Sequence, residues 1–302
     1  MKKLLAMILC LITLSSLAGE TVVIVYPWTA SDLAANYDRS IVEEANKMQD
    51  KYTFIFDTRP GAGGSVAANH VLTTKNTILS TSSPFFIRPV LYPTESYDIS
   101  KFQELMTQCS APIVISSVKY KSWKDVPQDQ VITIGVSGLG TTTHLVATQL
   151  ALKYPNLQVI PFKSTSEAVF ATVTKNTDFT AGFISDNKSW TAQNKSLVTI
   201  NVLGITGTTP VAGYSTLVSE GFSPALGTMV PPYHLVVPKS IGDDKISEWR
   251  KILEQAAKAT SVQESYKPDH CQPLNIPEFE LQTWFDQQTT KWNKLGQGIK
   301  LQ

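Results

Sequence analysis

The sequence is poor in the residues from which metal centres and strongly charged surfaces are built. Its four histidines stand at 70, 144, 234 and 270 with no ligand-like spacing, so neither a metal site nor a bound cofactor is expected. The 26 basic and 25 acidic residues leave a formal charge of +1, which removes the electrostatic basis for binding nucleic acid or an anionic membrane. Any preference for an anion must therefore be local. No low-complexity tract or repeat of solenoid period occurs. Two glycine loops, RPGAGG at 59–64 and SGLG at 137–140, lack the lysine with which a P-loop reaches the outer phosphates, and this excludes nucleotide hydrolysis by that device.

Only three cysteines are present. The first, Cys10, falls in a segment with the pattern of an export signal: Lys2 and Lys3, an apolar run from Leu4 to Leu14, then Ser16 and Ala18, with cleavage expected after Ala18. That run is too short to span a bilayer. Leu9 stands before Cys10 where a lipoprotein signal wants a small residue, so an ordinary export signal over 1–18 is expected, not a lipid anchor. Export leaves Cys109 and Cys271 in a compartment where disulfides persist. Two buried thiols and one disulfide are both compatible with the sequence.

The remaining 284 or so residues suffice for two compact lobes. The stretch Val131 to Tyr154 is the most informative. A β-branched run, Val131 to Val136, predicts a buried strand, Gly138 and Gly140 predict a sharp turn, and Thr141, Thr142 and Thr143 lie where a helix N-cap falls. Leu145, Val146, Leu150 and Leu152 then recur at helical spacing until Pro155. Strand, glycine turn and hydroxyl-rich helix start together place free N–H groups and the positive end of a helix dipole at one crevice, which suits a small anion. Two other motifs almost fit here. Gly135 and Ser137 begin a nucleophile elbow, but Leu139 replaces its last glycine, and Thr143 stands at the third glycine position of a dinucleotide fingerprint.

Elsewhere the chain alternates strands and helices. Thr21 to Tyr26, Tyr52 to Phe56 and Thr77 to Thr81 are expected strands; Leu33, Tyr37, Ile41, Ala45 and Met48 form a helical stripe for which Ser31 or Asp32 is the natural cap. Ile113 to Val118 is expected to be extended, and after the 131–154 unit come Leu157 to Ile160, a helix with Ala168, Val169 and Val173, strands near Phe179 to Ile184 and Leu197 to Ile205, and an extended run Tyr233 to Pro238. Two amphipathic helices close the chain: Ile246, Trp249, Leu253 and Ala257 share one face, and Leu281, Trp284, Phe285 and Trp292 share another in a helix starting at Pro277. The order predicts an α/β fold with ligands at the carboxyl ends of the strands.

In this order the motifs PW at 27–28 with Arg39 behind, RPGAGG, RPVLY at 88–92 followed by YDISKF at 97–102, SGLGTTTHL at 137–145, and IPFKS at 160–164 with Asp178 beyond resemble the periplasmic solute receptors of the tripartite tricarboxylate transporter family, the Bug proteins. The resemblance covers most of the mature sequence. It implies a two-lobed, hinged, type II periplasmic binding fold with parallel-dominated mixed sheets flanked by helices. Residues 19–113 with 236–302 would form one lobe and 114–235 the other, with crossings near 113–117 and 234–238. It also implies a periplasmic, monomeric, non-enzymatic receptor that holds a small organic anion and delivers it to membrane transporter subunits. Carried over by position, Trp28, Thr29, Ala30, Ser31 and Asp32, then Ser82, Ser83 and Pro84, then Ser137, Thr141, Thr142, Thr143 and His144, and finally Lys163 and Ser164 would line the cleft.

The chain departs from the family pattern in its first loop. Ser31, Asp32 and Ala35 stand where paired glycines and a later aspartate are usual, and Arg88 replaces an asparagine. Asp32 either caps the following helix or faces the cleft, where it would repel a carboxylate and favour an amine on the same ligand. Arg88 is either a surface charge or a second carboxylate contact. His144 is expected to bond the turn, and Lys163 either balances the anion or lies on the surface. An exported serine hydrolase using Ser137 with His144 or His234, and a receptor acting as a sensor or scavenger without a transporter, are the alternative functions.

Overall fold

The computed structural model describes residues 19–32, 34–94, 96–193 and 199–297; the expected export signal, Leu33, Leu197 and the last five residues lie outside them. The strands are β1 (Glu20–Tyr26), β2 (Tyr52–Thr58), β3 (Thr77–Thr81), β4 (Phe102–Ser110), β5 (Val114–Ser117), β6 (Ile132–Val136), β7 (Leu157–Pro161), β8 (Phe179–Gly182), β9 (Asn201–Ile205), β10 (Pro232–Pro238) and β11 (Gln272–Pro273). The helices are α1 (Ala35–Met48), α2 (Ser65–Thr73), α3 (Pro84–Leu91), α4 (Thr142–Ala151), α5 (Thr165–Val173), α6 (Ile184–Gln193), α7 (Asp243–Ala257), α8 (Thr260–Tyr266) and α9 (Leu281–Gln297).

They form an α/β fold with two mixed sheets flanked by helices, in the orders β11-β4-β10-β3-β1-β2 and β7-β6-β8-β5-β9. Parallel pairing links β1 with β2 and β3, and β6 with β7 and β8. β10 enters the first sheet antiparallel between β3 and β4, and β5 enters the second antiparallel between β8 and β9. Most strands of each sheet therefore run in one direction, as βαβ crossovers require. The loops after β1, β3, β6 and β7 all leave from carboxyl ends.

The chain passes between the sheets twice, and the two passages run side by side. Ala111 N–H donates to Pro231 O, Thr206 N–H to Ile113 O, and Ile113 N–H to the Thr206 hydroxyl. β10 belongs to the first sheet from Pro232 onward, so the second passage lies ahead of the 234–238 segment named from the sequence.

Apolar spacing accounts for the helices that cover the sheets. Tyr37, Ile41 and Ala45 of α1 and Ile246, Trp249 and Leu253 of α7 are buried together with Val22, Ile24, Phe54 and Leu235. Leu281, Trp284, Phe285 and Trp292 of α9 are buried as their spacing predicts. Three helices were not expected, the first being α3, which starts at Pro84 directly after β3. α8 follows α7 after a two-residue break, and α6 occupies residues where the sequence suggested the end of a strand; its polar composition gives no apolar stripe to read. Cys109 of β4 and Cys271, beside β11, are joined as a disulfide with their Cα atoms 5.4 Å apart.

Candidate functional site

The sequence places hydroxyls at two helix starts, and the fold turns both toward the same space. After β6, Gly138 and Gly140 adopt φ values of 106° and 76°, which residues with a Cβ rarely take, and this reversal brings Thr141 to the N-cap of α4. The Thr141 hydroxyl accepts from His144 N–H and donates to Gly138 O at 2.7 Å. Thr143 Oγ1 accepts from Ser137 N–H at 3.0 Å. From the first half, Pro84 occupies the first turn of α3, and Ser83 Oγ is hydrogen-bonded across the gap to Thr142 Oγ1.

Between these starts lies a small cavity lined from both halves. The first half contributes Tyr26, Trp28, Asp32, Ala34, Ser82 and Pro84, and the start of β10 adds Tyr233. The second half contributes Ser137, Thr141, Thr142 and Thr143 with Thr165, Phe183 and Asp186; Ile113 and Pro231 come from the two passages. Eight residues named from the sequence thus meet here: Trp28, Asp32, Ser82, Pro84, Ser137, Thr141, Thr142 and Thr143.

The others serve nearby without lining the cavity. Thr29 and Ser31 hydrogen-bond each other by their hydroxyls at 2.8 Å, and Ala30 O accepts from Arg39 at 2.6 Å, which holds the first loop. Ser164 is fully buried as the N-cap of α5, where it accepts from Glu167 N–H, and Lys163 is exposed. His144 Nδ1 accepts from Gly140 N–H at 3.0 Å, and burial lowers its pKa, so it stays neutral and braces the turn. Arg88 is buried: its Nη1 donates to Leu139 O of the opposite half at 3.1 Å, and its guanidinium lies 4.0 Å from the centre of the Tyr92 ring.

Asp32 does not cap α1. That cap is Ala34, with no side-chain hydrogen bond, and Asp32 instead faces the second half. The Ser166 hydroxyl lies 3.3 Å from Asp32 Oδ1, 3.3 Å from Ser31 O and 3.4 Å from Asp186 Oδ1. Burial pushes the Asp32 carboxyl up to about 7, against the hydrogen bonds from Ser166 that oppose it. Asp186 is raised well above the usual range by burial and then by the charges of Asp32 and Asp269. A third acid, Asp269, accepts from Ser185 N–H in the first turn of α6 at 2.7 Å and from Tyr37 OH at 2.6 Å.

Sequence reasoning missed Tyr26, Tyr233, Thr165, Phe183 and Asp186. The two tyrosines sit inside apolar strands and look like core, and Asp186 belongs to the helix that carried no periodic signal. Gly182 ending a strand, followed by Ser185 and Asp186, was the one local hint of a helix start.

The hydrolase alternative finds no geometry. His144 turns its Nδ1 to Gly140, while His234 is fully buried in the first half, paired with Glu104 Oε2 at 2.8 Å and stacked on Phe86. Ser137 Oγ has Thr143 Oγ1 as its neighbour at 3.0 Å.

Two α/β halves meeting at their strand ends across a cavity lined by aromatic rings, hydroxyls and two acids define the periplasmic binding protein class. The chain belongs to the tripartite tricarboxylate transporter family receptors, whose family model matches residues 39–301. It is a solute receptor and not an enzyme. No curated protein matches it by sequence. Among solved structures, the periplasmic binding protein BugD is 20% identical with a TM-score of 0.81, covering 92% of this chain and 97% of its own. MatC (Rpa3494) from Rhodopseudomonas palustris with bound malate is 16% identical with a TM-score of 0.74, covering 92% and 99%. R. palustris Rpa4515 with adipate is 16% identical with a TM-score of 0.77, covering 92% and 96%. Among the described residues no helix is long and apolar enough to cross a membrane.

Proposed function

We propose that this chain is an exported receptor that captures a small organic anion, a carboxylate or an amino acid, between two lobes and delivers it to tripartite transporter subunits in the membrane. The signal segment 1–18 would be removed and the mature chain would act as a monomer in the periplasm. The lobes follow the two sheets, and the paired passages at 111–113 and 206–231 act as the hinge.

The observation that carries this reading is the convergence of Ser82 from one half and Ser137, Thr141, Thr142 and Thr143 from the other on one cavity. Adipate and malate in the structures of similar fold support a carboxylate guest. A ligand touching both halves binds the closed arrangement better and shifts the population toward it. Hydrogen bonds to a charged group contribute roughly 1.5–3 kcal/mol each, so three or four donors reach the ~8 kcal/mol of a micromolar complex.

Calorimetry with a panel of carboxylates and amino acids, followed by small-angle scattering with the best binder, should show binding and compaction. Heats indistinguishable from dilution across the panel, with unchanged scattering, would remove the receptor reading. Replacing Thr142 by Val deletes the hydroxyl that meets Ser83 across the gap and should weaken binding by about 1–3 kcal/mol. Unchanged affinity in Thr142→Val would show that this helix start does not hold the guest.

A further inference from the structure

The cavity is lined by acids with no base beside them, and burial favours their protonated forms until a cation joins them. Its lining holds two carboxylates, Asp32 and Asp186, and among the described residues no lysine, arginine or histidine. Both acids are more than nine-tenths buried. The charged groups that bear on them are each other, Glu167 and Asp269, all acidic. The hydroxyl of Ser166 lies within reach of three acceptors, Asp32 Oδ1, Asp186 Oδ1 and Ser31 O, yet it carries one proton. Backbone N–H groups of Ser166 and Phe183 also serve Asp32 and Asp186, and four carboxyl oxygens with Ser31 O still outnumber these donors.

The rest of the wall has the opposite character. Trp28 lines the cavity, is more than nine-tenths buried, and its indole N–H has no acceptor among the described residues. Among the described residues other buried donors, Trp249 Nε1 and Tyr266 OH among them, also lack an acceptor, but Trp28 is the one of these that lines the cavity, and an N–H left over in a cavity wall points to an acceptor on the guest. Ser82 and Thr142 face the same space beside the N-terminus of the ten-residue α4, whose first N–H groups open there, while the Thr141 hydroxyl spends its proton on Gly138 O. One guest therefore has to satisfy an acceptor-rich corner and a donor-rich wall.

We propose that the guest is a zwitterion, a small amino acid whose carboxylate meets the Trp28 indole and the N-terminus of α4 and whose ammonium is held by Asp32 and Asp186. An ammonium brings three N–H donors and a positive charge to a corner with surplus oxygens. A metal ion is a poorer match, since no group of three or more His, Cys, Asp or Glu among the described residues is placed to hold one. Citrate-like polyanions are disfavoured by the same two carboxylates. This inference rests on the receptor reading and narrows it: of carboxylate and amino acid, it selects the second.

The test is calorimetry of the full mature chain with three matched sets of probes: the twenty L-amino acids with β-alanine and γ-aminobutyrate; their des-amino carboxylates, among them propionate, butyrate, succinate and glutarate; and simple amines lacking a carboxylate. The expected result is binding within the first set, with the des-amino partner of the best binder weaker by at least about 100-fold, because buried acceptors then lose their donors. Asp32→Asn, which keeps the side chain's size, should lose most of that preference, and Asp186→Asn, checked by circular dichroism for an intact fold, should do the same. Des-amino carboxylates binding the wild type as tightly as the amino acids would overturn the zwitterion while leaving the receptor reading standing. Amines binding as well as amino acids, or an Asp32→Asn protein of unchanged selectivity, would overturn it too. No binding in any set would take the receptor reading down with it.

Discussion

Reducing the Cys109–Cys271 bond should lower the unfolding free energy by about 2–5 kcal/mol. The two residues are 162 apart in sequence, and a cross-link over so long a loop removes, in the chain-entropy account, roughly 5 kcal/mol of unfolded-state freedom. Packing adds to the loss. Both cysteines are buried, and the bond fastens the segment after α8 to β4, where Leu274 N–H donates to Gln108 O and Leu274 O accepts from the Thr107 hydroxyl. Urea titrations of the oxidised protein, the reduced protein and the Cys109→Ala/Cys271→Ala double variant should give lower midpoints for the last two. Their m-values should also be larger, because the reduced unfolded chain exposes more surface. Three superimposable curves would mean that the cross-link restrains nothing the native packing does not already hold.

The unliganded receptor should be more stable near pH 5 than near pH 8. Burial raises Asp32 from 3.8 to about 7 and Asp38 from 3.8 to about 6, and it also raises Asp186 and Asp269. A carboxyl whose folded pKa is raised binds its proton more tightly in the native state than in the unfolded one. Its stabilising share is complete below the unfolded value and is lost as pH rises through the folded value, here between pH 4 and 7. Asp32 alone accounts for up to about 4 kcal/mol of that fall. His144 works the other way, since its pKa is lowered by burial and its share is lost as pH falls below the ordinary histidine value. Burial raises Glu104 and Glu254 as well, so the acids outnumber His144 and the slope should stay downward with rising pH. Denaturant titrations at pH 5, 6, 7 and 8 measure it, and Asp32→Asn should flatten it. Stability that climbs from pH 5 to pH 8 would show that these acids are already ionised in the native chain.

The two predictions draw on different depths of the molecule, and the difference shows how far the sequence could be read. Periodicity and turn chemistry are local, so the strands 77–81 and 132–136, the threonine start of α4 and the aromatic face of α9 were legible from the residues themselves. So was the meeting of Ser82 with the 137–143 stretch, once the resemblance supplied the topology. The two cysteines were visible, but their pairing was not, since only the folded chain brings their Cα atoms to 5.4 Å. Asp32 had two readings, and the structure shows that it does not cap α1 but faces Ser166; Arg88 fits neither of its two, being buried, outside the cavity lining and bonded to Leu139 O.

What the sequence by itself determined is therefore most of the strands and apolar-striped helices, the absence of a nucleotide loop, and the hydroxyl-rich helix starts at strand ends, because each depends on residues within a turn or two of one another. What only the tertiary structure decided is the acid corner of the cavity. Asp32 and the Ser166 that it faces are 134 residues apart, Tyr37 and Asp269 are 232 apart, and Asp186 rides on a helix with no periodic signal. Burial acts on these acids only when both halves are in place, so their shared site exists in no single stretch of the chain.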